Sequence, residues 1–189
     1  AKRFIVVEHV CTQFEEMLCQ QLQRYQPGDP FDDSTVLGPL ARGDLAESLA
    51  RQVYGSIDRG ARVLLEGGPT GRGAFFRPIV LTHVAPGMPA FDEETFGPVA
   101  AIIPARDEDE ALALANRSVY GLGAAIFTRD LDRAEQCARQ LDVGSVFVNL
   151  QVRSDPRLPF GGVKDSGWGR ELSPFGMREF VNVKTVVVA

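Results

Sequence analysis

Two rhythms of apolar and polar residues run along this chain, one of period two and one of period three to four. Residues 3–8 form an apolar, β-branched run that predicts a strand. The next segment, TQFEEMLCQQLQRY at 12–25, changes to helical spacing: Phe14, Met17, Leu18, Leu22 and Tyr25 make one stripe, and Thr12 and Glu15 have the spacing of a capping box. QPGDP stops it, and a loop leads to a second helix with Leu45, Leu49, Val53 and Ile57 at steps of four and Gly60 as its stop. ARVLLEGG reads as a short strand ending in a glycine turn, and FFRPIVLTHV as a strand that Pro78 pushes toward a sheet edge or a bulge. PVAAIIPA reads as a buried strand. DEDEALALANRS reads as a helix, with Asp107 and Glu110 at capping-box spacing. GAAIFT predicts a strand, DLDRAEQCARQL a helix capped by Asp130, and VGSVFVN a further strand.

From 99 to 149 the order strand, helix, strand, helix, strand implies an α/β fold, a mostly parallel twisted sheet with crossover helices. Residues 150–176 lose periodicity and become rich in glycine, proline and charge, the character of a functional or disordered segment. The end, EFVNVKTVVVA, is β-branched and reads as a strand. So apolar an edge needs a partner, which points to a second subunit and a homo-oligomer. Residues 1–175 are therefore read as one domain and 176–189 as an oligomerisation strand.

Composition narrows the picture. The chain has 189 residues, 44% hydrophobic and 24% charged, an ordinary globular make-up. A net charge of -5 argues against nucleic acid and anionic membranes as partners, and no apolar run approaches membrane-spanning length. Cys11 and Cys19 would stand about 12 Å apart on one helix, too far for a disulfide, and unpaired thiols suit a reducing cytoplasm. His9 and His83 stand alone and there is no CxxC, so no metal site is expected.

Chemistry is harder to locate. GGPTGRG lacks a Walker spacing, PFGGVKDSGWGRE fits neither a Walker loop nor GxGxxG, and GxSxG is absent. Cys11 and Cys137 fall on amphipathic helices, where a thiol is ordinarily structural. From the residues alone no catalytic nucleophile or general base emerges. FDEETFGPVA at 91–100 sets three acids against an aromatic and a Gly-Pro turn, which in isolation is a solvated loop.

KRFIV at 2–6, EETFGPV at 93–99, GSVFVN at 144–149 and PFGGVKDSGWGRE at 159–171, taken together and in this order, resemble the C-terminal part of an aldehyde dehydrogenase. The tail SDPRLPFGGVKDSGWGRELSPFGMREFVNVKTV is similar to the succinate-semialdehyde branch. The resemblance implies an aldehyde dehydrogenase catalytic domain using NAD or NADP and passing through a thioester. It also implies that the nucleophilic cysteine, the general base and an N-terminal cofactor-binding domain lie upstream of residue 1. This chain alone is then expected to be inactive, with no catalytic residue of its own. Glu94 would accept the hydroxyls of the nicotinamide ribose and Phe96 would border the ring, as an acceptor-only group beside an aromatic face can do. Ser154 would meet the substrate's distal carboxylate and Phe160 would line its channel. Arg153 and Arg157 flank Ser154. For Arg157 an ion pair, and for Phe160 simple packing, are equal alternatives. Lys164, Ser166, Gly167, Gly169 and Arg170 read as organisers of their loop. Two other functions stand beside this one: a non-catalytic assembly module on the same fold, and a dehydrogenase for another aliphatic or ω-carboxylated aldehyde.

Overall fold

The computed structural model describes residues 2–189, which form two compact units, the first ending at Leu114 and the second beginning at Ala115. In the first, β1 (Arg3–Val7) passes directly into α1 (Glu8–Leu22), and α2 (Gly43–Ile57) follows a long loop. Then come β2 (Arg62–Leu65), β3 (Gly68–Pro69), β4 (Phe76–Arg77), β5 (Ile79–Thr82), the short α3 (Pro89–Asp92), β6 (Val99–Ala105) and α4 (Glu108–Asn116). One sheet has the order β1-β6-β5-β2: β1 and β5 run parallel to β6, and β2 lies antiparallel against β5 with a bulge between Val63 and Leu65.

Alternation along the strands builds two cores. Ile79 and Leu81, with Val99, Ala101 and Ile103, face Leu49, Val53 and Phe91 of α2 and α3. Val80, Ala100 and Ile102 face the other way, onto Cys11, Phe14 and Leu18 of α1. A strand buried on both faces reads as a continuous apolar run, and β6, VAAIIPA, is such a strand.

Several local expectations are corrected. Helix α1 starts four residues before Thr12, with no side-chain cap. The Glu15 carboxylate instead accepts hydrogen bonds from the buried Thr82 hydroxyl and, at 3.7 Å, from the Cys11 thiol. The inward stripe of α1 is the buried Cys11 with the half-buried Phe14, Leu18, Cys19 and Leu22, while Met17 and Tyr25 are exposed, because the inward face follows steps of three and four from Cys11. Pro78 does not place its strand at an edge. It divides β4, paired with β3, from β5, which lies inside the sheet. The capping signals at Asp107 and Asp130 hold: their carboxylates accept from the Glu110 and Arg133 amides at 2.9 and 3.0 Å. Helix α2 closes at Gly60, whose φ of +109° suits glycine, and its amide reaches the Ile57 carbonyl at 2.9 Å.

The second unit contains β7 (Tyr120–Gly121), β8 (Gly123–Ile126), α5 (Leu131–Gln140), β9 (Ser145–Val148), β10 (Val163–Lys164) and α6 (Ser173–Arg178). β8 and β9 are parallel, and β7 and β10 antiparallel. The alternation from 99 to 149 is thus present, but β6 and β8 are not sheet neighbours. The expected C-terminal strand is not formed: residues 182–189 have no regular structure, and Val183, Val187 and Val188 are exposed. A strand exists by its hydrogen-bonded partner, and this segment has none among the described residues.

Candidate functional site

The acidic turn leaves α3 and enters β6. Glu93 is extended, with φ -101° and ψ 162°, and the chain stays irregular to Pro98. Exposure alternates here: Glu94 is exposed, Thr95 is buried at 8%, and Phe96 is 76% exposed. In extended backbone, alternate residues share a side. Glu94 and Phe96 are thus the exposed residues on either side of the buried Thr95. The close approach of Gly97 to Leu49 and Leu40 locks the turn down, since a Cβ there would collide with the Leu49 side chain.

Gln52 holds this turn and Lys2 bears on its charge, and sequence spacing pointed to neither. The Gln52 side-chain amide on α2 donates to Glu93 Oε2 at 2.9 Å and to the Glu94 carbonyl at 3.2 Å. Lys2, just before β1, feels both acids: burial lowers its ammonium to about 8, while Glu94 pulls it up, Arg3 pushes it down and Glu93 pulls it up. Arg3 sits with its guanidinium 5.0 Å from the Phe91 ring centroid and donates to the Leu114 carbonyl at 3.0 Å. The side-chain carboxylate of Glu94 has no hydrogen bond to a described residue. An acceptor-only group left available beside an exposed ring fits a ligand carrying paired hydroxyls and a flat ring, so the residues suit a nicotinamide riboside.

In the second unit, residues 150–160 border two shallow surface hollows open to solvent. One, about 460 Å³, is lined by Arg153, Ser154, Asp155, Pro156 and Arg157. The other, about 420 Å³, adds apolar walls from Val146, Val148, Leu158 and Phe160 and shares Arg153 and Asp155 with the first. Ser154 is exposed at the first and Phe160 is half-buried in the second, its backbone bridged to Glu171 by bonds of 2.9 and 2.7 Å. The Arg157 alternative is resolved in favour of an ion pair: its Nε and terminal nitrogen reach Asp155 Oδ1 and Oδ2 at 2.9 and 2.6 Å, and its amide also donates to Oδ1. Those bonds hold the Asp155 carboxyl well below the usual carboxylate range, with the Arg153 charge acting in the same direction.

The glycine-rich stretch after Phe160 is structural. Ser166 Oγ accepts from the Gly121 amide at 3.0 Å, Lys164 reaches the Asn116 carbonyl at 2.9 Å, and Arg170 donates to the carbonyls of Gly162 and Gly169. A Cβ on Gly144 would collide with the Gly161 carbonyl, and one on Gly162 with Ser166, so both glycines are needed for close backbone approach. Asn149, with φ +55°, braces Thr128 through both atoms of its amide.

The aldehyde dehydrogenase family model matches residues 1–186. The chain belongs to the aldehyde dehydrogenase family. It is 52% identical over 187 residues to the NADP-dependent succinate-semialdehyde dehydrogenase of Deinococcus radiodurans, covering 98% of this chain and 39% of that protein. It is 49% identical to the NAD(P)-dependent succinate semialdehyde dehydrogenase Sad of Escherichia coli, covering 98% of this chain and 40% of that protein. Among solved structures it matches the Streptococcus pyogenes succinic semialdehyde dehydrogenase in complex with NADP+, with TM-score 0.92 and 36% identity over 98% of this chain and 41% of the other. The chain thus spans about two fifths of the length of these curated relatives. Its mixed α/β fold, with the mostly parallel sheet, is the one the family likeness implied.

Among the described residues no helix is long and apolar enough to cross a membrane, and no group of His, Cys, Asp and Glu could hold a metal ion.

Proposed function

We propose that this chain supplies the nicotinamide-positioning and aldehyde-positioning parts of an NAD(P)-dependent aldehyde dehydrogenase whose substrate is succinate semialdehyde. The observation that carries this is the outward pair Glu94 and Phe96, flanking the buried Thr95 on a turn held by Gln52. In this reading the Glu94 carboxylate accepts the ribose hydroxyls and the Phe96 ring borders the nicotinamide. The bound nicotinamide supplies hydride acceptance. Ser154 and Phe160 line the aldehyde side, and residues 150–160 shape its entrance. Holding reactants in place can be worth roughly 7 kcal/mol or more in favourable cases.

The chain's own thiols do not serve as nucleophile in this proposal. Burial, reinforced by Glu15, raises the Cys11 thiol to about 11, the same causes raise Cys19, and Cys137 is buried on α5. A nucleophile acts as thiolate, so these are poor candidates. We place the enzyme in the cytoplasm, where thiols outside disulfides persist. The exposed apolar run through Val183, Val187 and Val188 we assign to contact with a second subunit.

The test is Glu94→Gln in the complete enzyme, measured on succinate semialdehyde with NAD and with NADP. Hydrogen bonds to a charged group are worth about 1.5–3 kcal/mol, so the cofactor KM should rise by about tenfold or more and hydride transfer should slow. An unchanged cofactor dependence removes the ribose assignment.

A further inference from the structure

Three acids in a row, Asp92, Glu93 and Glu94, need more than the turn itself can offer them. Asp92 Oδ2 accepts from the Gly87 amide at 2.8 Å and Glu93 Oε2 from the Gln52 side chain at 2.9 Å, so both are tied to neutral donors. At Glu94 the Gln52 amide meets the backbone carbonyl instead, which leaves the carboxylate without a hydrogen-bond donor among the described residues. The two like charges beside it disfavour its ionised form. The compensating cation comes from another strand. β1 and β6 are parallel, with Arg3 opposite Ala101, so both strands start at the same end of the sheet. Lys2 immediately precedes β1 and the acidic turn immediately precedes β6, so the register brings the two to one edge. The Lys2 Nζ is buried there, and of the charges acting on it that of Glu94 is the largest, ahead of Arg3 and Glu93. Arg3, the other cation at this edge, is engaged by the Phe91 ring and the Leu114 carbonyl, and the acid acting on it is Asp92.

We propose that Lys2 is a positioning residue for the nicotinamide ribose: its ammonium keeps the Glu94 carboxylate ionised and in place at the turn, and acts on the ribose only through Glu94. The proposal rests on the dehydrogenase reading above, which assigns Glu94 to the ribose hydroxyls. An opposite charge nearby favours the ionised carboxylate, and a buried ammonium is screened by salt less than an exposed one. The arrangement carries its own pH signature. Burial lowers the Lys2 ammonium to about 8, with Glu94 opposing, Arg3 adding to the fall and Glu93 opposing. The charge that serves Glu94 is therefore present below that pH and is lost as pH rises through it, so cofactor binding should weaken with rising pH.

The experiment titrates the complete enzyme with NADPH, without aldehyde, and reads the dissociation constant from cofactor fluorescence between about pH 7 and about pH 9.5. Binding without turnover keeps the ionisations of the chemical steps out of the readout. Wild type should bind about threefold to tenfold more weakly at the upper end than at the lower. Lys2→Met should bind that weakly already at the lower end and lose the pH step. Lys2→Arg keeps its charge throughout and should bind tightly across the range, which a folding defect would not do. Glu94→Gln should weaken binding and flatten the step, and adding Lys2→Met to Glu94→Gln should cost little more, because both changes act on one contact. Wild-type binding that is level across the range, or Lys2→Met binding equal to wild type at the lower end, overturns the proposal. A pH step that survives in Glu94→Gln, or a full Lys2→Met effect in that background, overturns it while the ribose assignment stands. A Glu94→Gln enzyme that binds NADPH as tightly as wild type overturns the ribose assignment and the proposal with it.

Discussion

Ser56 offers a direct measure of what holds the acidic turn. It lies on α2 with 0% exposure, its hydroxyl donates to the Gln52 carbonyl at 2.7 Å, and its oxygen accepts from the Ala90 amide at 2.9 Å. Ala90, also 0% exposed, is the second residue of α3, whose first amides have no partner inside so short a helix. Ser56 therefore caps α3 from another helix. Ser56→Ala keeps the helix propensity of α2 and changes volume little, while the Gln52 carbonyl loses only one of its possible donors. The large term is the Ala90 N–H, left buried without an acceptor, at about 1–3 kcal/mol. Since α3 runs straight into Glu93, the loosening should reach Glu94. The assay is urea unfolding of the complete enzyme, with hydrogen exchange followed on peptides spanning 86–96 and 99–105. Protection should fall in the first peptide and stay near wild type in the second, with the cofactor KM rising alongside. Wild-type exchange across 86–96 would show that the Ser56 bond does not hold α3, and the reasoning would fail.

Two further outcomes follow from the same contacts. Gln52→Ala removes the donor to Glu93 and the Glu94 carbonyl. Because the site is exposed, water offsets much of the loss, and a cofactor KM raised about two- to tenfold with little change in urea midpoint is expected; a wild-type KM would refute the clamp. The Cys11 thiol, lifted from 9.0 to about 11, favours the protonated form in the folded state. Its stabilising effect is thus complete below pH 9 and is lost as pH climbs from about 9 to 11. Disulfide-exchange reagents at pH 8 should label it far more slowly than the unfolded chain, and rapid labelling of the folded protein at pH 8 would contradict its burial against Glu15.

Much of the fold could be read from the amino acids because its signals act over a few residues. Strand β6 announces itself as seven nearly uninterrupted apolar positions, and the carboxylates of Asp107 and Asp130 cap amides three residues ahead of them. Where reading failed, the deciding partner was distant. Pro78 looked like the mark of an edge or a bulge, but β4 and β5 pair with different strands and its missing N–H falls in the gap between them, while the one bulge against β5 lies on β2, between Val63 and Leu65. The C-terminal valines satisfy every local criterion for a strand and still form none, because a strand also needs a neighbouring ladder and none of the described residues offers one.

The site follows the same rule, and Glu15 shows why. Its spacing from Thr12 promised a local bond to backbone, yet its carboxylate accepts from a threonine 67 positions later. Thr82, the last residue of β5, is 1% exposed, and a buried hydroxyl without a partner would cost about 1–3 kcal/mol. An exposed capping bond contributes less than that, so the long-range bond wins. Gln52 belongs to the same class: nothing near it on α2 marks it, and its role exists only because the fold brings the acidic turn to the end of its side chain, 41 positions on. Glu94 and Phe96 could be singled out only because their motif resembles one of the aldehyde dehydrogenases, and that motif is a short local run. The side chains that stiffen the turn are recruited from wherever the packing supplies them. The exposed residues of the acidic turn are therefore legible in the sequence, and the residues that hold the turn, here Gln52 and Ser56, become visible only once helix α2 is set against the sheet.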